Sequence, residues 1–217
     1  MTKHSIKPRI LSALFLACLA LAALPGRASA DTYGFGALES LYQGVADLLY
    51  VDVSNTDGGT AATFTFTSAV SGSEVVTSIY WDWSGLDEGA SLSSPTWTGS
   101  PGASFAAGSG NMPGGNTVGF HADYTLDRAK GSGGVAHGLN AGETLSVSFV
   151  LSGLGYDALI AALNTGDVRL GLHVQSVDLG AGSFAATATP TPVPSAVWLM
   201  GTGLLGLAAF RVVRQRA

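Results

Sequence analysis

Three side chains of metal-binding type fall on segments that alternate like β-strands. His121 and Asp123 lie two residues apart, so on a strand both would project from one face, and His173 belongs to the polar face of another strand. If the two strands were neighbours, a His/Asp/His metal site would form. The simpler interpretation is a solvated sheet face, and we assign no metal site.

Carboxylates and an amide cluster in two further places. The groups are Asp52 with Asn55 and Asp57, and Asp82 with Asp87 and Glu88. Calcium prefers such oxygen ligands, but EF-hand spacing is absent, and Asp57-Gly58 is typical of a hairpin turn. Asp82 and Asp87 could instead pair as glycosidase carboxylates. Because the sequence has no nucleophile elbow, no His-Glu-x-x-His and no phosphate-binding glycine loop, we expect no enzyme and no cofactor, with a structural calcium as the alternative.

Four aromatic residues stand close together and could stack on sugar rings. Trp81 and Trp83 share a strand face with Ile79, which predicts that both belong to the core, whereas Tyr80 points to the wet face. Trp97 lies outside this pattern and is the candidate glycan contact. A carbohydrate-binding module is therefore the alternative to a non-enzymatic structural role.

The elements that would position these residues are β-strands. Apolar and polar residues alternate with period two in residues 49–53, 64–67, 79–83, 118–126, 145–151 and 168–174. Alternation gives each strand one buried and one wet face, which predicts a two-sheet antiparallel β-sandwich, jelly-roll-like, in residues 31–188. One short helix is predicted from Tyr156 to Leu163. The glycine-rich residues 100–115 and 131–142 are expected to be mobile surface loops.

The charges are divided unevenly along the chain. All fifteen acidic residues lie between Asp31 and Asp178. The same region contains three basic residues, Arg128, Lys130 and Arg169, so it carries a formal net charge of −12. Such a charge repels phosphate backbones and excludes nucleic acid as a partner. The single cysteine, Cys18, excludes internal disulfides and multi-cysteine zinc sites.

The N-terminus has the pattern of a secretory signal peptide, residues 1–30. A basic start is followed by an apolar run over 10–24, a Pro25-Gly26 break and the small residues Ala28 and Ala30. Signal peptidase is expected to cut between Ala30 and Asp31. The alternatives are an uncleaved anchor and lipidation of Cys18, which we expect to be removed with the peptide.

The C-terminus is a second membrane-directed segment. Residues 189–195 are a Pro-rich spacer, 196–213 a predicted transmembrane helix with Trp198 at its outer interface, and 214–217 a basic cytoplasmic tail. The uncharged run 196–210 would span about 22 Å as a helix, and extension to Val213 with Arg211 snorkelling brings it nearer the ~30 Å of a bilayer core. The alternative is a buried C-terminal core helix.

These three C-terminal parts, in this order, resemble the sorting signal of the PEP-CTERM proteins, closest to the variant named VPLPA-CTERM. Thr191-Pro192-Val193-Pro194-Ser195 stands where Val-Pro-Leu-Pro-Ala is common. The other residues of the resemblance are Trp198, the glycines Gly201, Gly203 and Gly206, and the arginines Arg211, Arg214 and Arg216.

The resemblance implies an exosortase substrate in a Gram-negative bacterium that makes exopolysaccharide. It also implies transient anchoring in the inner membrane, cleavage near the prolines, and release to the cell surface or extracellular matrix. The second half of residues 31–188, from Gly142-Glu143 through the predicted helix, resembles more loosely the sandwich domains common in such proteins. Signal peptidase, exosortase and exopolysaccharide are the expected partners.

Overall fold

A computed structural model describes residues 30–130, 137–177 and 182–190. The described strands are β1 (Ala30–Ala37), β2 (Leu49–Thr56), β3 (Ala61–Ser68), β4 (Val75–Asp82), β5 (Ser91–Gly99), β6 (Phe105–Ala107), β7 (Tyr124–Arg128), β8 (Thr144–Ser152), β9 (Arg169–Val177) and β10 (Gly182–Pro190). The helices of this part are α1 (Gln43–Ala46) and α2 (Tyr156–Thr165), with single 3₁₀ turns at Ser40–Tyr42, Asp57–Gly59 and Gly115–Val118.

The predicted all-β antiparallel class is confirmed, but the strands form one sheet where two were predicted. The order is β5-β8-β3-β2-β1-β10-β9-β4-β7-β6, and every pair is antiparallel. The link between the expected halves is β1, which pairs with β2 on one side and with β10 on the other. Gly34 and Gly36 lie on its outer face, and residues without a side chain let a strand bend at such a corner.

The sheet curls until its two halves face each other across an aromatic core. Trp81 of β4 is fully buried, and its ring centroid lies 5.5 Å from that of Phe66 on β3 and 5.3 Å from that of Phe149 on β8. The edge strands also meet, because the Trp97 indole on β5 donates a 2.9 Å hydrogen bond to the Phe105 carbonyl on β6. The sheet is therefore nearly closed, and its inner face is the core.

The predicted strand over residues 118–126 is largely wrong. Only β7 is a strand there, while Gly115–Val118 forms a 3₁₀ turn and residues 119–123 form a loop. The Asn111 side chain holds this loop, accepting hydrogen bonds from the Met112 and Ala122 amides and donating to the Phe120 carbonyl. Local side-chain hydrogen bonds of this kind offer the backbone an alternative to a sheet ladder.

This loop and the residues just before it, from Asn111 onward, cover part of the outer face of the sheet, which the sequence did not predict. Tyr80, expected on the wet face, is 5% exposed and packs with Met112, Phe120 and Ala185 in a second small core. Residues 100–115 were expected to be a mobile surface loop, yet Met112 within them is 2% exposed. The loop lies flat because β9 carries Gly171, where a Cβ would stand 2.6 Å from the Met112 sulfur.

The predicted helix is confirmed as α2, which extends two residues further, to Thr165, and is capped by Gly166 with a φ of 86°. Its first residue, Tyr156, donates a 2.7 Å hydrogen bond to the Val53 carbonyl and so ties the helix to β2. The one-turn helix α1 was not predicted. It depends on Gln43, whose side chain bonds both the Ala37 amide and the Phe35 carbonyl of β1.

Both ends of the described domain lie together. β1 begins at Ala30 and β10 ends at Pro190, and Pro190 pairs with Tyr33. Across residues 30–130, 137–177 and 182–190, no helix is long and apolar enough to cross a membrane. The predicted signal peptide before Ala30, with Ala28, lies outside the described residues, as does the sorting segment from Pro192 onward.

Candidate functional site

An ion pair with a buried carboxylate joins the ends of β4 and β9. Arg169 Nη2 lies 2.5 Å from Asp82 Oδ2, and the Asp82 side chain is 1% exposed. The same carboxylate accepts hydrogen bonds from the Ser84 hydroxyl at 2.6 Å, the Ser84 amide at 3.0 Å and the His121 amide at 2.9 Å. Four donors thus converge on one side chain, which satisfies its charge without water.

The environment of Asp82 fixes its protonation state. Burial by itself would raise its pKa, but the hydrogen bonds from Ser84 and His121, together with the Arg169 charge, outweigh burial and lower the pKa. A carboxyl with a lowered pKa is ionised at neutral pH, so it is unsuited to protonate a leaving group. Asp87 and Glu88, expected beside it, are exposed and line a different cleft with Asp167.

Arg169 also holds the loop of residues 111–123, which we call the covering loop. Its guanidinium donates to the carbonyls of Val118 (3.1 Å) and Gly119, and it lies 5.3 Å from the ring centroid of Phe120. Through Asp82 and Arg169, the loop that covers β4 and β9 is fastened at one end of both strands. The contacts of this pair are structural. No sequence pattern indicates the pair, since the two residues are distant in the chain.

The other candidate metal or calcium ligands, to which the sequence analysis assigned no site, are not brought together. The His121 amide bonds Asp82, Asp123 accepts from the Trp83 amide at 2.7 Å, and His173 pairs with Ser78, four positions from Asp82, or about 13 Å along a strand. Asp52 accepts a 2.5 Å hydrogen bond from Thr32, while Asp57 lies in the β2–β3 turn bonded to Thr60. Within the described ranges, no three His, Cys, Asp or Glu residues could hold a metal ion.

The aromatic residues mainly serve the core. Trp81 is buried as predicted, and Trp83 is half-buried with its ring 6.2 Å from that of Phe149. Trp97, the candidate glycan contact, is half-buried against the core, and its indole N–H is bonded to Phe105. Its hydrogen-bonding atom is therefore used within the fold.

A polar cleft that the sequence did not reveal lies on the outer face of β4, β7 and β9. We call it the β4–β7–β9 cleft; it has a volume of about 210 Å³. Its lining residues are Thr77, Ser78, Asp127, Arg128, Lys130, His173 and Gln175. The sheet register explains this convergence, because Ser78 of β4 pairs with Asp127 on one side and His173 on the other. The alternating pattern predicted that His173 faces outward, but only the strand order shows what stands beside it.

A second cleft of about 200 Å³ lies at β9 and β10. It is lined by Leu38, Glu39, Pro113, Gly114, His173, Phe184 and Ala185. His173 thus lines both clefts. Burial lowers its pKa, opposed by the charge of Asp127, so at neutral pH its imidazole is uncharged and presents one donor and one acceptor nitrogen.

Comparison of the chain with protein-family models, curated proteins and solved structures finds no match. The chemistry of the described domain therefore rests on its own residues. They provide one half-buried ion pair that fastens a loop and one polar cleft lined by residues that include Arg128 and Lys130.

Proposed function

We propose that the protein is an exported, non-enzymatic component of the cell surface or extracellular matrix, and that an exosortase processes it near Pro192–Pro194. One observation carries this proposal. A Pro-x-Pro motif, an uncharged apolar run and a short arginine tail follow one another at the C-terminus, behind an N-terminal segment with the pattern of a signal peptide.

The arrangement of the domain supports such a precursor. β1 begins at the expected signal-peptidase site, and β10 ends two residues before Pro192. Because these strands are antiparallel neighbours, the chain enters and leaves the sheet at the same end. Two membrane-directed segments can then serve one membrane without passing around the domain, and the folded part remains on one side.

The carboxylates and the net charge of the domain support a role without catalysis. Asp82, which accepts four hydrogen bonds, is ionised and holds a loop. Its proposed glycosidase partner Asp87 lines another cleft. The net charge of −12 over residues 31–190 keeps copies of the domain apart in solution, which suits a protein exposed outside the cell.

The test is to delete residues 192–194 from the full chain in a Gram-negative host that has an exosortase, and to follow the protein by size and fractionation. We expect the deletion variant to accumulate in the inner membrane at the size of the unprocessed form. The unchanged chain is expected to lose its C-terminal segment and to appear at the surface or in the medium.

A length-matched deletion of residues 132–134 is the control, because it removes three small residues remote from the motif. It should be processed like the unchanged chain. Deletion of the host exosortase should reproduce the defect of the 192–194 deletion. If size and location are the same with and without the motif, the proposed sorting is wrong.

A further inference from the structure

We propose that the outer face of β2, β3, β8 and β5 binds a flat, uncharged polysaccharide, with Tyr50 stacked on a sugar ring. We call this surface the hydroxyl face; it comprises the outward side chains of those four strands. The inference rests on the proposed function only in placing the protein where it meets such polymers. Its evidence is the uniform chemistry of the face, its single charge and the position of Tyr50 outside both cores.

Hydroxyl groups stand in rows across this face. Thr98 of β5, Ser146 of β8, Thr65 of β3 and Asp52 of β2 are successive partners in the sheet register. Adjacent strands lie about 4.8 Å apart, and the next row lies about 6.7 Å further along the strands. Thr65 and Ser146 share a 3.0 Å hydrogen bond, which leaves their oxygens with further capacity to bond a ligand. The face is therefore a regular array of groups that both donate and accept hydrogen bonds.

The hydroxyl face is open, whereas the other half of the sheet is covered. On β4 and β9, the covering loop packs against Tyr80 and lies close to Gly171. On the hydroxyl face, Thr96 and Thr98 of β5 are exposed, and Val150 of β8 is 46% exposed. Side chains with this exposure are accessible to a large ligand.

Tyr50 is the aromatic residue of the hydroxyl face. It is half-buried, and among the aromatic residues of the described ranges it alone belongs to neither buried core. Its partners in the register are Thr67 on β3 and Gly34 on β1, and Gly34 has no side chain to fill the space beside it. An aromatic ring outside the core can stack on the apolar face of a sugar, while its hydroxyl bonds a sugar oxygen.

The charge of the face determines which class of polymer it fits. Asp52 is the one charged residue of the four strands. An anionic polysaccharide or a nucleic acid would be repelled, because these strands offer no cation. A protein partner would need a well-packed apolar centre, whereas this face consists mainly of serine and threonine. A neutral polysaccharide matches the face, because its hydroxyls donate to Asp52 and exchange hydrogen bonds with the serines and threonines.

The shape of the face favours a flat chain. Serine and threonine side chains are short and similar in length, so they form a level surface without walls around a ligand. A β-linked glucose chain is a flat ribbon that can lie on such a surface, whereas an α-linked glucose chain curves into a helix. The sheet curls around its core, so the outer face is convex and only a few rings touch it at once. Several linked units should therefore bind more tightly than one.

The experiment measures binding to the full chain by calorimetry, in a zwitterionic detergent that carries no sugar group. The probes are cellohexaose, maltohexaose, hexagalacturonate and glucose. We expect cellohexaose to bind about fivefold more tightly than maltohexaose, which contains the same glucose units in α linkage, and more tightly than glucose. Hexagalacturonate is anionic and is expected to bind weakly or not at all.

Tyr50→Thr is the main variant, because it removes the ring, keeps a residue of high strand propensity and changes neither core. We expect it to weaken cellohexaose binding about fivefold, and Tyr50→Phe, which keeps the ring, to weaken it less than about twofold. Asp52→Asn should weaken it about threefold, because a charged acceptor is lost. Asp57→Asn is the matched control, since it makes the same chemical change in the β2–β3 turn beyond the face, and it should leave binding unchanged.

The proposal is overturned if cellohexaose does not bind, if maltohexaose or hexagalacturonate binds equally well, or if Tyr50→Thr binds like the unchanged chain. Urea titration checks that Tyr50→Thr is folded; if it is not, the comparison of Asp52→Asn with Asp57→Asn decides, and equal binding by these two variants counts against the proposal. The sorting proposal is tested separately, because processing is read from size and location. A protein that binds cellohexaose yet ignores its C-terminal motif contradicts only the proposed function, and one that is sorted but binds no sugar contradicts only this inference.

Discussion

The Asp82–Arg169 pair gives the sharpest test of how this fold is held together. Asp82→Asn keeps the shape of the side chain but replaces one acceptor oxygen with an NH₂ group. In the unchanged chain, Asp82 Oδ2 accepts hydrogen bonds from Arg169 and from the His121 amide, while Oδ1 accepts from Ser84. The asparagine of the variant keeps its oxygen for Ser84 and places its NH₂ group at the position of Oδ2. In the variant, donors would face donors at that position, and the Arg169 charge would lose its partner.

The size of the effect follows from burial. Breaking a fully buried ion pair by removing one partner costs roughly 3–5 kcal/mol. Here Asp82 is 1% exposed but the Arg169 side chain is 31% exposed, so water can solvate part of the orphaned charge. We therefore expect Asp82→Asn to lower the free energy of unfolding by about 2–3 kcal/mol. For a domain of this size that lowers Tm by about 5–10 °C.

The measurement is the unfolding free energy from urea titration, followed by tryptophan fluorescence, at neutral and acidic pH. Because folding lowers the pKa of Asp82, its stabilisation is fully present above the unfolded-state pKa of about 3.9 and is lost as pH falls through the folded-state pKa. The stability difference between the unchanged chain and Asp82→Asn should therefore be constant near neutral pH and shrink below about pH 4.

Asp87→Asn is the matched control, since it makes the same chemical change at an exposed position of the β4–β5 loop. It should change the unfolding free energy by less than about 0.5 kcal/mol. If Asp82→Asn is equally mild, or if its effect does not diminish in acid, then the ion pair does not fasten the covering loop and our account of the site is wrong.

Two further predictions test the covering loop and the closure of the sheet. Gly171→Ala places a methyl group 2.6 Å from the Met112 sulfur, so overpacking should lower the free energy of unfolding by about 1–2 kcal/mol, as measured by urea titration. The double variant with Met112→Ala should lose less stability than the sum of the two single variants, because removing the Met112 side chain makes room for the new methyl group. Trp97→Phe keeps the packing of a large ring but leaves the Phe105 carbonyl without its indole donor, so thermal unfolding should show a loss of about 1 kcal/mol; an unchanged Tm would mean that this bond does not join the sheet edges.

The sequence correctly predicted those parts of the fold in which a strand has one buried face and one exposed face. In β2 and β8, alternation identified the buried residues correctly, because a strand with one covered face must alternate. The same rule failed for β4, where all eight residues are buried. A strand covered on both faces does not need to alternate, and the cover comes from a loop whose glycines suggested mobility.

The connection between the two halves of the sheet could not be predicted either. Alternation indicates how many faces of a strand are buried, but it does not indicate which strands are neighbours. β1 and β10 are the first and last described strands, and their pairing turns the expected two sheets into one. The spacing of Gly34 and Gly36 opposite the buried Tyr33 and Phe35 is visible in the sequence, yet it is compatible with an edge strand as well as with a corner.

The candidate site depends on strand order to a still greater degree. His173, Ser78 and Asp127 lie on three strands, and the chain between them gives no indication that they share a cleft. Sequence reasoning paired His173 with His121 and Asp123 because all three are potential metal ligands. The register instead sets His173 beside Ser78 and near two cations. The sequence analysis therefore identified His173 as a candidate, but the residues beside it on neighbouring strands determine its chemistry.

The charge imbalance gives these two sites a common physical basis. In a domain with fifteen acidic and three basic residues, each cation is surrounded by more negative charge than it can neutralise, so its position has energetic consequences. Arg169 is used where a carboxylate must be buried, and there it is bonded on several sides. Arg128 and Lys130 both line the β4–β7–β9 cleft beside Asp127, so the local charge there is less negative than the average over the domain.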